Sequence, residues 1–145
     1  MKTLATLITI LFMSLLSSPS WSETVLFRDL EERDGLFYYK KFSSTLFTGE
    51  VENNLLKLKM GTIKNGKPDG LWKTYYWNGQ VHTSSIYKDG ILNGLHEWYY
   101  ENGQLWFEEN YKNGIIEDGI VIWYYENGSQ WMTKTYKDGE LIDVG

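Results

Sequence analysis

From Gly70 onward, runs rich in aromatic and β-branched residues are separated by short polar breaks containing glycine. No stretch after residue 22 keeps a helical period with caps. Three segments superimpose: GLWKTYYWNGQVHTSSIYKDG from Gly70, GLHEWYYENGQLWFEENYKNG from Gly94 and GIVIWYYENGSQWMTKTYKDG from Gly119. The opening glycines, the middle glycines Gly79, Gly103 and Gly128 and the closing glycines Gly90, Gly114 and Gly139 all advance in the same steps of 24 and 25. Landmarks in phase mark a repeat architecture. Asn78-Gly79, Asn102-Gly103 and Asn127-Gly128 lie between two such runs, the strongest short-range signal of a two-residue hairpin turn with positive φ at both positions. Asp89-Gly90, Asn113-Gly114 and Asp138-Gly139 repeat that chemistry at the other end of the strands. The expected fold is all-β: an elongated antiparallel meander of hairpins in a single sheet of eight to ten strands.

Counting outward from a two-residue loop at Asn102-Gly103 sets Tyr100 opposite Leu105, Tyr99 opposite Trp106, Trp98 opposite Phe107 and Gly94 opposite Tyr111. Directly opposed side chains share a face. One face, read as the core, then holds His96, Trp98, Tyr100, Leu105, Phe107 and Tyr111, and in the last repeat Val121, Trp123, Tyr125, Met132 and Tyr136. Tyr87, Tyr111 and Tyr136 each oppose the opening glycine of their hairpin, where a ring can cover bare backbone. The third repeat has one additional residue within Ile115 to Asp118, which would reverse every later side chain unless a β-bulge near Glu117 and Asp118 absorbs it.

The chain is organised in three parts. Residues 1–22 read as a cleavable, helical signal peptide: Lys2, the apolar run Leu4 to Leu16, then Ser20 and Ser22 before a cut ahead of Glu23. That run is shorter than the roughly 20 residues needed to span a bilayer, and no stable membrane insertion is expected after its removal. Residues 23–66 read as an N-terminal cap with degenerate repeats. Residues 67–145 hold the three hairpin repeats, at about 70–93, 94–118 and 119–145. The expected location is periplasmic or secreted.

Composition narrows the chemistry. With no cysteine, disulfides, thiolate nucleophiles and lipid attachment are excluded. Losing the signal removes only Lys2, so Lys plus Arg falls from 14 to 13 against 19 Asp plus Glu, a net charge of −6. Such a surface repels phosphate, which argues against nucleic acid. Eleven Tyr and seven Trp against two Pro suit strands and glycine turns.

The string G-x-W-x-x-Y-Y-x-N-G, with a following strand ending Y-K-[DN]-G, resembles the variant MORN repeat. More narrowly, with GLFYYKK from Gly35 and LFTGEV around Gly49 ahead of the repeats, the chain is similar to YwqK-type antitoxins of toxin–antitoxin systems. His96 and Val121 depart from the pattern by replacing the Trp found at Trp72. The resemblance implies a MORN-like sheet and a protein partner, a toxin, met outside the cytoplasm if the chain is exported.

The face opposite the core is the candidate binding surface. Counting places Tyr75 against His82, Tyr99 against Trp106 and Tyr124 against Trp131, flanked by Glu97, Glu101 and Glu108. Aromatic rings there either dock a partner or simply brace adjacent strands. Catalysis is not expected. His82 and His96 fall on opposite faces in this register, Ser84 and Ser85 have no base nearby, Glu97 opposite Glu108 lies on an open sheet, and no metal-ligand spacing or cofactor motif occurs. The alternative to a protein-binding module is a cell-envelope glycan binder or a structural envelope protein.

Overall fold

The computed structural model describes residues 23–39 and 44–145, so the expected signal peptide lies outside the described residues. The N-terminal part runs β1 (Glu23–Leu26), a 3-10 turn (Phe27–Asp29), β2 (Glu31–Arg33), β3 (Leu36–Tyr38), β4 (Gly49–Glu52), β5 (Lys59–Lys64) and β6 (Lys67–Pro68). The repeats supply β7 (Gly70–Tyr75), β8 (Val81–Lys88), β9 (Ile91–Tyr99), β10 (Leu105–Lys112), β11 (Ile115–Ile116), β12 (Gly119–Tyr124), β13 (Gln130–Lys137) and β14 (Glu140–Val144). The architecture is all-β, as the pattern predicts. It is not one continuous sheet. The repeats form a sheet of order β14-β13-β12-β10-β9-β8-β7, with β11 also on β10, while β1-β4-β5-β6 and β2-β3 form two smaller sheets. One pairing also departs from the antiparallel expectation: β1 runs parallel to β4, from Glu23 beside Gly49 to Leu26 beside Glu52.

Both positions take positive φ at Asp34-Gly35, Asn65-Gly66, Asp89-Gly90, Asn113-Gly114 and Asp138-Gly139. These are the two-residue turns whose twist matches that of the flanking strands. The middle turns behave differently. At Gly103 φ is +85°, but Asn102 is not among the residues with positive φ. The Gly103 N–H donates to the Tyr100 carbonyl at 2.9 Å and the Tyr100 N–H to the Gln104 carbonyl at 2.8 Å, so the loop has three residues, Glu101 to Gly103. Tyr76 to Gln80 and Tyr125 to Ser129 close in the same way.

A three-residue loop slips the pairing by one. Leu105 opposes Tyr99, not Tyr100, and register is regained only where Phe107 meets Trp98, leaving Trp106 as a bulge. His82 and Trp131 occupy the same position in their hairpins, where Val81 opposes Tyr75 and Gln130 opposes Tyr124. Beyond the bulge the expected register holds, and the opening glycines oppose Tyr87, Tyr111 and Tyr136. Nothing stands within 4 Å of where a Cβ would sit at Gly70 or Gly119; their φ values of +90° and +151° are what require glycine. The additional residue of the third repeat is taken up where expected. Tyr111 pairs with Ile116 and Phe107 with Trp123; the Glu117 N–H still donates to the Asn110 carbonyl at 2.7 Å, and the additional residue is absorbed between there and Gly119.

Repeats are stitched at both ends. At the middle turns, the Tyr76 and Tyr100 hydroxyls donate to the Tyr99 and Tyr124 carbonyls (2.7 and 2.8 Å). The Asn78 and Asn102 Nδ2 groups reach the Glu101 and Glu126 carbonyls (2.9 and 3.0 Å). At the closing turns, Asn93 and Asp118 accept the Asn113 and Asp138 N–H groups at 3.0 and 2.7 Å. Thr48 does the same for Asn65 at 2.9 Å, so the β4–β5 hairpin is built as a further, shortened repeat.

The fullest burial lies at the N-terminal end: Phe47, Val51, Ile63 and Trp72, with Val25, Phe27, Leu30 and Phe37 packed around them. Val51 and Ile63 are wholly buried, each contributing about 1.5–3 kcal/mol. Farther along, Phe107, Ile116 and Val121 form a second, thinner cluster beneath half-buried Trp98, Trp106 and Trp123.

Candidate functional site

The sheet sorts its side chains into two rows that run across the strands. Trp72, Ser85, His96 and Glu109 are successive cross-strand neighbours on the core face; Lys73, Ser84, Glu97 and Glu108 are successive neighbours on the back face. The predicted binding residues divide between these faces. Tyr75, Tyr99, Tyr124, Glu97 and Glu108 are on the back. His82, Trp106 and Trp131 are not: their bulges turn them into the core-face aromatic groove. Glu101 sits in an exposed turn.

In that groove His82 packs edge-on to Trp98 at 5.0 Å, Trp106 to Trp123 at 5.3 Å and Trp131 to Trp123 at 6.4 Å. The stripe of Tyr–His and Tyr–Trp pairs therefore does not exist. The expected opposition of His82 and His96 fails for the same reason, since both rings contact Trp98. Leu105, expected in the core, opposes Tyr99 and lies on the back.

What the back face retains is tyrosine and acid. Tyr99 is half-buried, and burial, together with a hydrogen bond to Glu97 and the charge of Glu108, pushes its phenol up to about 12. The Tyr75 hydroxyl donates to the Lys59 carbonyl at 2.6 Å, and burial raises its pKa too. Glu97 stands directly opposite Glu108. The ion pairs among the described residues are Arg28–Asp29, Arg33–Glu31, Lys59–Glu50 and Lys137–Asp118, and none neutralises either glutamate. Like charges so opposed destabilise an isolated sheet.

Clefts mark the seams between repeats on this face. One of about 250 Å³ is lined by Lys73, Val81, Ser84, Glu97 and Tyr99. The next, about 270 Å³, is lined by Glu108, Glu117, Asp118, Ile120, Ile122 and Tyr124. The second opens because β10 meets β12 only at Phe107–Trp123. Charge thus changes along the face: Lys73 and Glu97 line the first seam, whereas every charged residue lining the second is acidic, among apolar Ile120 and Ile122. Lys73 escaped the sequence reading, and Ser84 entered it only as a serine without a base, although the place of both on this face follows from the register by counting one strand farther.

On the core face the expectation that Ser85 has no base nearby is corrected. Ser85, only 3% exposed, has its Oγ 2.8 Å from His96 Nδ1, and Trp98 Nε1 donates to His96 Nε2 at 2.6 Å. Ser85 therefore does have an imidazole beside it. An indole N–H can only donate, so Nε2 carries the lone pair and Nδ1 the proton. In that tautomer the ring donates to Ser85 and cannot take its proton, which is the reverse of what an activated nucleophile needs. Among the described residues, no group of three or more His, Cys, Asp or Glu side chains is placed to hold a metal ion.

No curated protein and no solved structure matches the chain. Residues 68–89, 92–113 and 117–138, each spanning one hairpin from just before its opening glycine to its closing Asp or Asn, match the family described as MORN repeat variant.

Proposed function

We propose that this protein is an exported, non-enzymatic repeat module that binds a partner protein through the back face of its sheet. The observation that carries this reading is the unneutralised opposition of Glu97 and Glu108 between the Tyr99 and Tyr124 seams. A Lys or Arg side chain from a partner would relieve the repulsion, and tyrosines beside it supply the amphipathic contact area that interfaces favour. The partner is accordingly basic where it meets β9 and β10. The antitoxin resemblance supports a toxin-like partner, and the Lys2 to Ser22 segment supports a meeting in the periplasm or outside the cell.

The test is isolation of complexes formed by the full chain after chemical crosslinking in cells. A Glu97→Lys/Glu108→Lys variant, whose changes lie on the exposed face, is expected to lose the specific crosslinked protein, whereas Trp131→Ala on the groove side keeps it. Loss with Trp131→Ala and retention with the double lysine variant would overturn the assignment of the face. A second reading, an envelope-glycan binder, rests on the exposure of Trp77, Tyr125 and Trp131 along the turn edge, since exposed rings stack on sugars. Retention on purified peptidoglycan without any protein partner, lost in Trp131→Ala, would favour it.

A further inference from the structure

We propose that His96 is a proton-operated latch on the aromatic groove, holding Trp98 when neutral and exchanging that contact for Glu109 when protonated. This inference is independent of which partner the back face binds.

The geometry permits only one protonation state at the observed contact. His96 Nε2 accepts from Trp98 Nε1 at 2.6 Å while Nδ1 meets Ser85 Oγ at 2.8 Å. Adding a proton to Nε2 would aim two N–H groups at each other, and the indole has no lone pair with which to accept. The pair must then separate. Directly across the ladder from His96, on the same face, stands Glu109. Its carboxylate accepts from the Tyr111 hydroxyl at 2.8 Å, and the Tyr111 ring already packs edge-on to His96 at 6.0 Å. An imidazolium thus has an anionic neighbour one strand away.

The other groups facing the site are Ser85 from β8 and Tyr136 from β13, which interacts with Glu109 and Tyr111; Glu97 acts from the back face of β9. Burial holds the imidazole below its ordinary value, outweighing the opposite pull of Glu109 and Glu97. The latched state is therefore complete above about pH 6.5 and is lost as pH falls through the lowered folded-state value.

Release has somewhere to propagate. Trp98 stacks on Phe107 at 6.0 Å and 17°, and Phe107 on Trp123 at 3.9 Å and 21°. Moving Trp98 removes the first ring of the stack that joins the second repeat to the third. The N-terminal cluster of Phe47, Val51, Ile63 and Trp72 contains no group that titrates, so the groove can open without the cap.

The test is an acid titration of the full chain followed by the Trp98 indole N–H and His96 ring signals in ¹⁵N-resolved NMR. The indole signal is expected to move in step with His96, with a midpoint below 6.5. His96→Val, which places in the second repeat the residue that the third has at Val121, should abolish that step. His96→Gln keeps an acceptor for Trp98 without a titrating proton, and should hold the indole in its neutral-pH position throughout, which covers a folding failure of the valine variant. His82 also touches Trp98, so His82→Phe is the necessary control and should leave the step in place. Glu109→Gln should shift the midpoint further toward acid. An indole signal that ignores His96, a step that survives His96→Gln, or one that vanishes with His82→Phe would overturn the proposal.

Discussion

Replacing Asn102 by Asp isolates one bond between repeats. The Asn102 Oδ1 accepts from the Gln104 N–H at 2.8 Å, which shapes its own turn, while Nδ2 donates to the Glu126 carbonyl of the next repeat at 3.0 Å. Aspartate keeps the acceptor and removes the donor. Because the freed carbonyl lies in an exposed turn, water replaces the lost donor and the cost is that of an ordinary net hydrogen bond, about 1 kcal/mol.

Asn127 is the internal control. It occupies the same Glu-Asn-Gly turn one repeat later and its Oδ1 accepts from the Ser129 N–H and hydroxyl at 2.9 and 2.7 Å, but its Nδ2 donates to no carbonyl among the described residues. Asn127→Asp should therefore change stability by less than about 0.5 kcal/mol, the range of a surface substitution. Urea unfolding followed by tryptophan fluorescence reads both. At a slope of about 1–2 kcal/mol per molar, Asn102→Asp should lower the midpoint by about 0.5–1 M, with Asn127→Asp close to wild type. Equal losses at the two sites would show that turn chemistry, not the bond to the neighbouring repeat, sets the cost, and would refute the stitching described above.

Three further outcomes are expected. Phe107 is 7% exposed and stacked between Trp98 and Trp123, so Phe107→Ala should cost about 3–5 kcal/mol. Hydrogen exchange should show the loss in β9 to β13 with β4 and β5 still protected. Gly139→Ala combines φ of +80° with a Cβ only 2.6 Å from Ile115 Cγ2, whereas Gly35→Ala at φ +74° meets nothing within 4 Å. Calorimetry should find about 1–2 kcal/mol at Gly35, the cost of left-handed backbone alone, and more at Gly139. Tyr99 and Tyr111 have phenols pushed up to about 12, first by burial and then by Glu97 and Glu109. Because the unfolded chain ionises them near 10, their contribution is intact below pH 10 and is lost as pH rises toward 12. Absorbance at 295 nm should show these two among the tyrosines that titrate late, and stability should fall over that interval.

The repeat, its phase and the three closing turns were legible because they depend on local backbone chemistry: Asp89-Gly90, Asn113-Gly114 and Asp138-Gly139 all adopt the twist that a two-residue turn demands, and Asp34-Gly35 and Asn65-Gly66, which the sequence reading did not single out, do the same. The middle turns share the same dipeptide but not the same conformation. A distinguishing signal was present. Closing turns use Asp or Asn, whereas the middle turns use only Asn, and Asn78 and Asn102 each give a side-chain N–H to the next repeat, which Asp could not do. What all three middle turns share, the last included, is local: the Asn Oδ1 accepts the N–H two residues on, an Asx turn that competes with the two-residue hairpin turn and that the Asn-Gly rule alone passes over. From that single slip follow the relocation of His82, Trp106 and Trp131 and the loss of the predicted aromatic stripe. Tyr75, Tyr99, Tyr124, Glu97 and Glu108 kept their face because they lie on the strand before each loop or beyond the bulge, where register is restored.

Trp106 shows how much of the groove is shape and how little is polar. Its ring lies within 5.3–6.1 Å of those of Trp123, Phe107, Tyr100 and Trp98, yet its buried Nε1 has no hydrogen-bond partner. A buried donor left without an acceptor costs about 1–3 kcal/mol, softened where an N–H meets an aromatic face. Phenylalanine would keep much of the ring contact and delete the orphaned donor. Trp106→Phe should thus remain within about 1.5 kcal/mol of wild type, as volume-tolerant core exchanges do, while Trp106→Ala should lose about 3–5 kcal/mol. Thermal unfolding of the two variants decides the matter. If phenylalanine proves as damaging as alanine, the indole N–H is engaged in a bond that the groove as described does not contain, and the separation of a packing face from a binding face would have to be redrawn from Trp106 outward.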